Sequence, residues 1–191
     1  MKQINEIDLN SYRDRVYQNA VNHGWHEEDK SDDHWLCLVI SELMEAVEAD
    51  RVGNYADIEA FEKNETSGLD FRENFERYIK DTVQDELADA CIRLLDLAGL
   101  RSLDLNGIRT DELESSEGFF TWTFTESMFY IVSVISEKTL LDWKPLRSYI
   151  YADLGEILVY CVQHNIDIFW FIEQKMKYNE SRPFKHGGKK Y

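Results

Sequence analysis

Apolar residues recur at intervals of three and four along nearly the whole chain, and only two prolines interrupt it, so the pattern predicts an all-α fold. Residues 8 to 23 read as a first amphipathic helix ended by Gly24. A polar run from Glu27 to Asp33 leads into a second helix at His34 to Arg51, with Ser31 or Asp32 as its N-cap and Gly53-Asn54 closing it. Residues 54 to 70 form a polar insert with local helical potential. A third long helix is expected from Phe71 to Leu100, opened by Asp70 and Glu73 at capping-box spacing. After a polar loop from Asn106 to Gly118, further helices are expected at 119 to 138, at 145 to 164 starting at Pro145, and at 167 to 180 capped by Asp167.

The expected architecture is a single domain over residues 1–191, a helical bundle with a four-helix core, its first half 1–105 and its second half 119–191. A weak internal echo suggests a degenerate tandem repeat of helical hairpins. Val39-Ile40-Ser41-Glu42 recurs as Val134-Ile135-Ser136-Glu137, and Asp85 to Asp89 has a looser counterpart in Ala152 to Glu156. Amphipathic helices share one binary pattern, so chance similarity is the competing explanation.

Two acidic pairs interrupt the apolar stripes, Glu42-x-x-Glu45 and Glu86-x-x-Asp89. A spacing of three leaves two side chains about 60° apart around a helix and about 4.5 Å apart along it, so each pair projects from one face. With 37 acidic residues in 191, chance supplies roughly seven such pairs, and spacing alone decides nothing. Context decides more. Around Glu42 the same face carries Trp35, Leu38, Val39, Ala46 and Ala49; around Glu86 it carries Ile79, Thr82, Val83, Ala90, Arg93 and Leu97. A solvated face would interleave Lys and Arg at spacing four instead. Carboxylates on a core-facing stripe repel one another unless a cation compensates them, and oxygen-only donors suit Mg²⁺ or Mn²⁺. Where the first hairpin has Glu45 the second has Leu140, so one complete four-carboxylate cluster per chain is expected.

Charge and composition narrow the alternatives. A formal net charge of -16 opposes binding to nucleic acid or anionic membranes, since no basic stripe runs along the main helices. No stretch approaches a membrane span and the N-terminus lacks an apolar signal core, so a cytoplasmic location is the default expectation. Cys37, Cys91 and Cys161 sit singly among apolar residues and read as reduced core packing. The five histidines show no Glu-x-x-His spacing, which argues against a di-iron carboxylate bundle.

The acidic array, with Ser41-Glu42-Leu43-Met44-Glu45-Ala46 and Asp85-Glu86-Leu87-Ala88-Asp89, resembles the signature of the MazG-like, all-α nucleoside triphosphate pyrophosphohydrolases, a superfamily that includes the dimeric dUTPases and the dCTPases. The run from Lys175 to Gly187 is similar to that family's Lys, Asn and Arg phosphate-side motif. The resemblance covers residues 20 to 100 and 170 to 190, and departs from the compact members in the forty residues between Glu45 and Glu86, where the polar insert lies. It implies Mg²⁺-dependent hydrolysis of a nucleoside triphosphate, a deoxynucleotide by expectation, to the monophosphate and pyrophosphate.

On that resemblance Glu42, Glu45, Glu86 and Asp89 would hold the metal, with Glu45 as the general base. Lys175, Asn179, Arg182, Lys185 and Lys189 would meet the phosphates, the alternative being a solvated, frayed basic tail. Arg93 would pair with Asp89 or reach a phosphate, and Trp25 would stack on the base or pack in the core. Family members often assemble as dimers or tetramers, so a homodimer is one expected assembly, while the internal echo would let one chain supply such partners itself. Two other readings stand beside the enzyme: a catalytically degenerate nucleotide sensor, and an acidic helical interaction protein.

Overall fold

The computed structural model describes residues 7–107, 118–141 and 144–185, which fold into eight α-helices with no strand among them. The expected loop from 106 to 118 lies largely outside the described residues.

Helix α1 (Leu9–Asn22) is capped by Asp8, whose side chain accepts from the Ser11 N–H. Ser31 caps α2 (Asp32–Arg51) by accepting from the His34 N–H. The polar insert contains α3 (Ile58–Thr66), capped by Asp57, and Asp70 caps α4 (Phe71–Tyr78). The remaining helices are α5 (Val83–Leu100), α6 (Phe124–Leu141), α7 (Leu146–Gln163) and α8 (Ile168–Glu180), the last capped by Asp167. Residues Gly118–Phe120 form a 3-10 turn, so α6 begins later than the periodicity suggests. Its start is a capping box: Thr123 Oγ1 accepts from the Glu126 N–H while the Glu126 carboxylate accepts from the Thr123 N–H.

The continuous helix expected over 71 to 100 is broken. Asp81 adopts a left-handed backbone, φ 60°, and the chain restarts at Thr82 as N-cap of α5. Thr82 Oγ1 donates to the Ile79 carbonyl (2.6 Å) and accepts from the Asp85 N–H (3.3 Å), closing one helix and opening the next. Thr82-x-x-Asp85 is a start signal buried inside an apolar run. The break sends α4 aside, where Phe75 stacks on Tyr178 of α8 at 4.6 Å, and it puts Asp85 and Glu86 in a first helical turn, whose dipole favours anions. Thr82→Ala should cost about 1 kcal/mol, lowering the melting temperature by roughly 3 °C in a thermal unfolding scan. An unchanged melting temperature would mean that packing alone holds the break.

The core is built from two antiparallel hairpins. α2 runs along α5, with Arg101 bonded to Asp32 (2.8 Å) at one end and the Val83 N–H bonded to the Asn54 carbonyl (3.0 Å) at the other. Ala46, Ala49, Ala88 and Ala90 are all buried, and such small side chains let the two backbones approach. α6 pairs with α7, α6 rests on α2 and α7 on α5, which closes the four-helix core. One apolar cluster runs through all four, from Val39 and Leu43 to Leu95, Ile131, Ile135, Leu154 and Leu158. α1 and α8 pack on α5. Gly99 is what admits α1, since a Cβ there would lie 2.5 Å from the Tyr17 Cβ.

Cys91 and Cys161 are core thiols, but Cys37 is exposed. On α2 its neighbours Trp35, Leu36 and Val39 take the inward positions, and Cys37 turns outward.

Candidate functional site

A cleft of about 320 Å³ opens between α2, α5, α1 and α8. Its chemistry turns on three oxygens: Glu42, Glu86 and Asp89 each offer a carboxylate oxygen, all within 4.8 Å of one another. α2 supplies the first and the opening turns of α5 the other two. Glu42 and Glu86 are buried, 8% and 4% exposed, and Asp89 is partly open to the cleft. Glu45 lines the same cleft from an exposed position on α2 but does not belong to the convergent triad.

Two cations already stand among these acids. Lys175 of α8 is buried, its Nζ 2.7 Å from Asp85 and 2.8 Å from Asp89. Arg93 donates from Nε to Glu42 at 3.0 Å. Lys175 therefore meets carboxylates rather than facing the cleft as an open point charge. Burial opposes its charge, and the adjacent Asp89 and Asp85 overcome that and raise its pKa. Arg93 takes the commoner of its two expected roles, with Glu42 rather than Asp89 as its hydrogen-bond partner.

Two cations do not balance the five carboxylates of Glu42, Glu45, Asp85, Glu86 and Asp89. Burial, then the Asp89 charge, pushes Glu42 up to about 7, with Arg93 pulling the other way. Burial and Asp89 push Glu86 up to about 9 against the pull of Lys175. Burial raises Asp85 to about 6 even beside Lys175. The donors are all oxygen, closely gathered and short of positive charge, which fits a hard divalent cation.

That imbalance gives a pH dependence of defined sign. Glu42 and Glu86 keep their protons in the folded chain well above the unfolded value of 4.5, so the folded state binds more protons than the unfolded state across that interval. Stability must then fall as pH rises from about 5 to about 9. A divalent cation should reverse the trend by compensating the ionised forms, so the rise in melting temperature on adding Mg²⁺ should be larger at pH 9 than at pH 6. A flat profile without metal would contradict the charge excess.

The far wall of the cleft is α8 and the segment after it. Asn179 and Arg182 line it, Arg182 with its guanidinium 5.7 Å from the Tyr178 ring centre, and Asn179 with a buried side-chain oxygen that has no partner among the described residues. Trp25 also lines the cleft. The chain after α8 is tied down to residue 185: the Lys185 N–H donates to the His23 carbonyl (3.0 Å), Lys185 Nζ pairs with Glu27 (2.6 Å), and Phe184 covers Gly24. Gly24 has φ +79°, and a Cβ there would sit 2.2 Å from the ring. Lys185 is thus held at the α1–α2 turn, outside the cleft lining, and Lys189 lies outside the described residues.

Two acids of the site escape sequence reasoning. Asp85 sits next to Glu86 and looks like a first-turn acid, yet it is 1% exposed and is the buried partner of Lys175. Asp96 lies seven residues after Asp89, the same face two turns on, and binds His26 Nε2 at 2.8 Å beside the cleft. The spacing of seven was a readable signal for Asp96; no pattern pairs Asp85 with a lysine ninety positions away. Comparison of the chain with protein-family models, with curated proteins and with solved structures returned no match in any of the three. No helix among the described residues is long and apolar enough to cross a membrane.

Proposed function

We propose that this chain hydrolyses a nucleoside triphosphate to the monophosphate and pyrophosphate in a Mg²⁺-dependent reaction, as a MazG-like pyrophosphohydrolase. The observation that carries the reading is the carboxylate triad of Glu42, Glu86 and Asp89 in the wall of a cleft whose opposite wall presents Asn179 and Arg182. The cleft falls in the size range of small-molecule sites. A triphosphate brings three to four negative charges and would be repelled by bare carboxylates; an acidic wall facing an arginine suits it only as a metal complex.

Glu42, Glu86 and Asp89 would hold the cation. When bound, Mg²⁺ supplies charge neutralisation and Lewis acidity at the phosphate oxygens. The chain's own residues do the rest. Arg182 would grip a phosphate bidentately, and Asn179 would offer an amide beside it. Glu45, outside the triad but on the cleft, is the carboxylate left to take a proton from the attacking water. The water oxygen bonds to one phosphorus of the α–β bridge, the other phosphorus leaves with the bridging oxygen, and Glu45 receives the proton. Lys175 and Arg93 act on the carboxylates: they hold Asp89 and Glu42 in place and lower the repulsion among ligands. Trp25 would stack on the base.

The test is incubation of the purified protein with a panel of ribo- and deoxynucleoside triphosphates and Mg²⁺, followed by separation of monophosphate, diphosphate and pyrophosphate. Monophosphate and pyrophosphate in equal amounts, abolished by chelator, are expected. Diphosphate with inorganic phosphate would overturn the reading. Nucleotide-dependent thermal stabilisation without any product would favour a sensor, and salt-sensitive binding of a basic protein indifferent to chelator would favour an interaction module.

A further inference from the structure

The internal echo has a structural counterpart. The first hairpin, α2 and α5, packs against the second, α6 and α7, with α2 on α6 and α5 on α7, so equivalent helices meet across the core. Lys138 near the end of α6 bonds to Asp33 at the start of α2 (2.8 Å), which makes the pair antiparallel, as an approximate two-fold relation between hairpins requires. Aligning the echo places Glu137 at the position of Glu42, Asp153 at Glu86 and Glu156 at Asp89. The acid with no counterpart is Glu45, and Glu45 is the one that stays outside the convergent triad. The three ligand positions that the fold gathers in the first hairpin are thus all acidic in the second.

Asp153 is the decisive residue. It is 0% exposed, and neither carboxylate oxygen has a hydrogen-bond partner among the described residues. Burial, Glu137 and Glu156 all push its pKa up, to about 8, and no basic group offsets them. In the first hairpin Lys175 and Arg93 compensate part of the charge. In the second, Tyr160 stands at the position of Arg93, Lys138 bonds to Asp33, and Arg147 donates to the carbonyls of Asp104 and Asn106. A wholly buried carboxylate with no donor, with Glu156 one turn on in α7 and Glu137 on the neighbouring α6 both adding negative charge around it, is a costly arrangement that a cation would satisfy.

We propose that the α6–α7 hairpin carries a second site for a hard divalent cation, with Asp153 as its buried anchor and Glu137 and Glu156 as the ligands that close on it. The three oxygens are not gathered within 4.8 Å as those of the first triad are: Glu137 is exposed and Glu156 turns towards the Tyr130 hydroxyl at 3.4 Å. Both glutamates must therefore rotate inward on binding, which lets the ion clamp α6 to α7. Such a cation is independent of any turnover at the first triad.

Mn²⁺ is the probe, counted by electron paramagnetic resonance and by calorimetry. In Glu42→Gln/Glu86→Gln protein, where the first triad is disabled, one Mn²⁺ per chain should remain. Adding Asp153→Asn should weaken that ion at least about tenfold, and so should Glu137→Gln, an exposed change that leaves the core untouched. In the otherwise intact chain the same two substitutions should each lower the Mn²⁺ count by one. Absence of Mn²⁺ binding in the double variant, or a residual ion that neither substitution weakens, would overturn the second site while leaving the reaction proposed for the first one standing.

Discussion

Glu86→Gln is expected to reduce metal-dependent pyrophosphate release by at least about a hundredfold while leaving the helix content unchanged. Glu86 is 4% exposed and its carboxyl is raised to about 9 by burial and by Asp89, so in the metal-free protein at neutral pH it is already uncharged. Glutamine reproduces that neutral side chain in size and polarity, and the fold has little reason to respond. What the amide cannot do is ionise towards a cation. Three measurements then move together: turnover falls, the rise in melting temperature on adding Mg²⁺ shrinks, and the metal-free variant gains stability over the wild type as pH rises from about 5 to about 9, because the native glutamate ionises in the unfolded chain but keeps its proton in the fold. A variant that keeps both its turnover and its Mg²⁺-induced stabilisation would remove Glu86 from the metal site.

Lys175→Met should cause the largest loss of stability of any single change around the cleft, about 3–5 kcal/mol, which corresponds to a fall in melting temperature on the order of 10 °C. Its ammonium is 2.7 Å from Asp85 and 2.8 Å from Asp89, with Lys175 and Asp85 buried at the junction of α5 and α8 and Asp89 partly open to the cleft. Removing it leaves the Asp85 charge with only the Asp81 N–H (3.0 Å) on one oxygen, the other already lacking a partner. Methionine keeps most of the aliphatic stem and loses the ammonium, whose Nζ also lies 5.8 Å from the Phe75 ring centre, so the lost charge and not lost packing dominates. Urea unfolding checks the magnitude, and the Lys175→Met/Asp85→Asn pair should recover more than half of the loss, because the stranded charge goes with it. A cost below about 1 kcal/mol for the single change would mean that the pair is dispensable to the fold.

How much of this was legible beforehand differs from residue to residue. The side-chain caps at Ser31, Asp70 and Asp167 were readable because a cap is a local bond between a side chain and a nearby N–H. The break at Asp81 and Thr82 was not, since Ile79, Val83 and Leu87 continue one apolar stripe straight through it. Glu42, Glu86 and Asp89 were readable as a group because helical spacing alone puts them on inward faces. That Glu45 falls outside the group depends on the rotation of α2 against α5, which no single helix records.

The sequence by itself determined that this chain is helical, where most of its helices begin and end, and that two acidic pairs lie on core-facing stripes, because periodicity and capping act over a few residues. Only the tertiary structure decided which acids converge, that Lys175 meets Asp85 and Asp89, and that Asp153 is buried without a donor. Those outcomes depend on how α2, α5, α6, α7 and α8 pack, and the electrostatics that follow are set by distances across helices and by the exclusion of water between them.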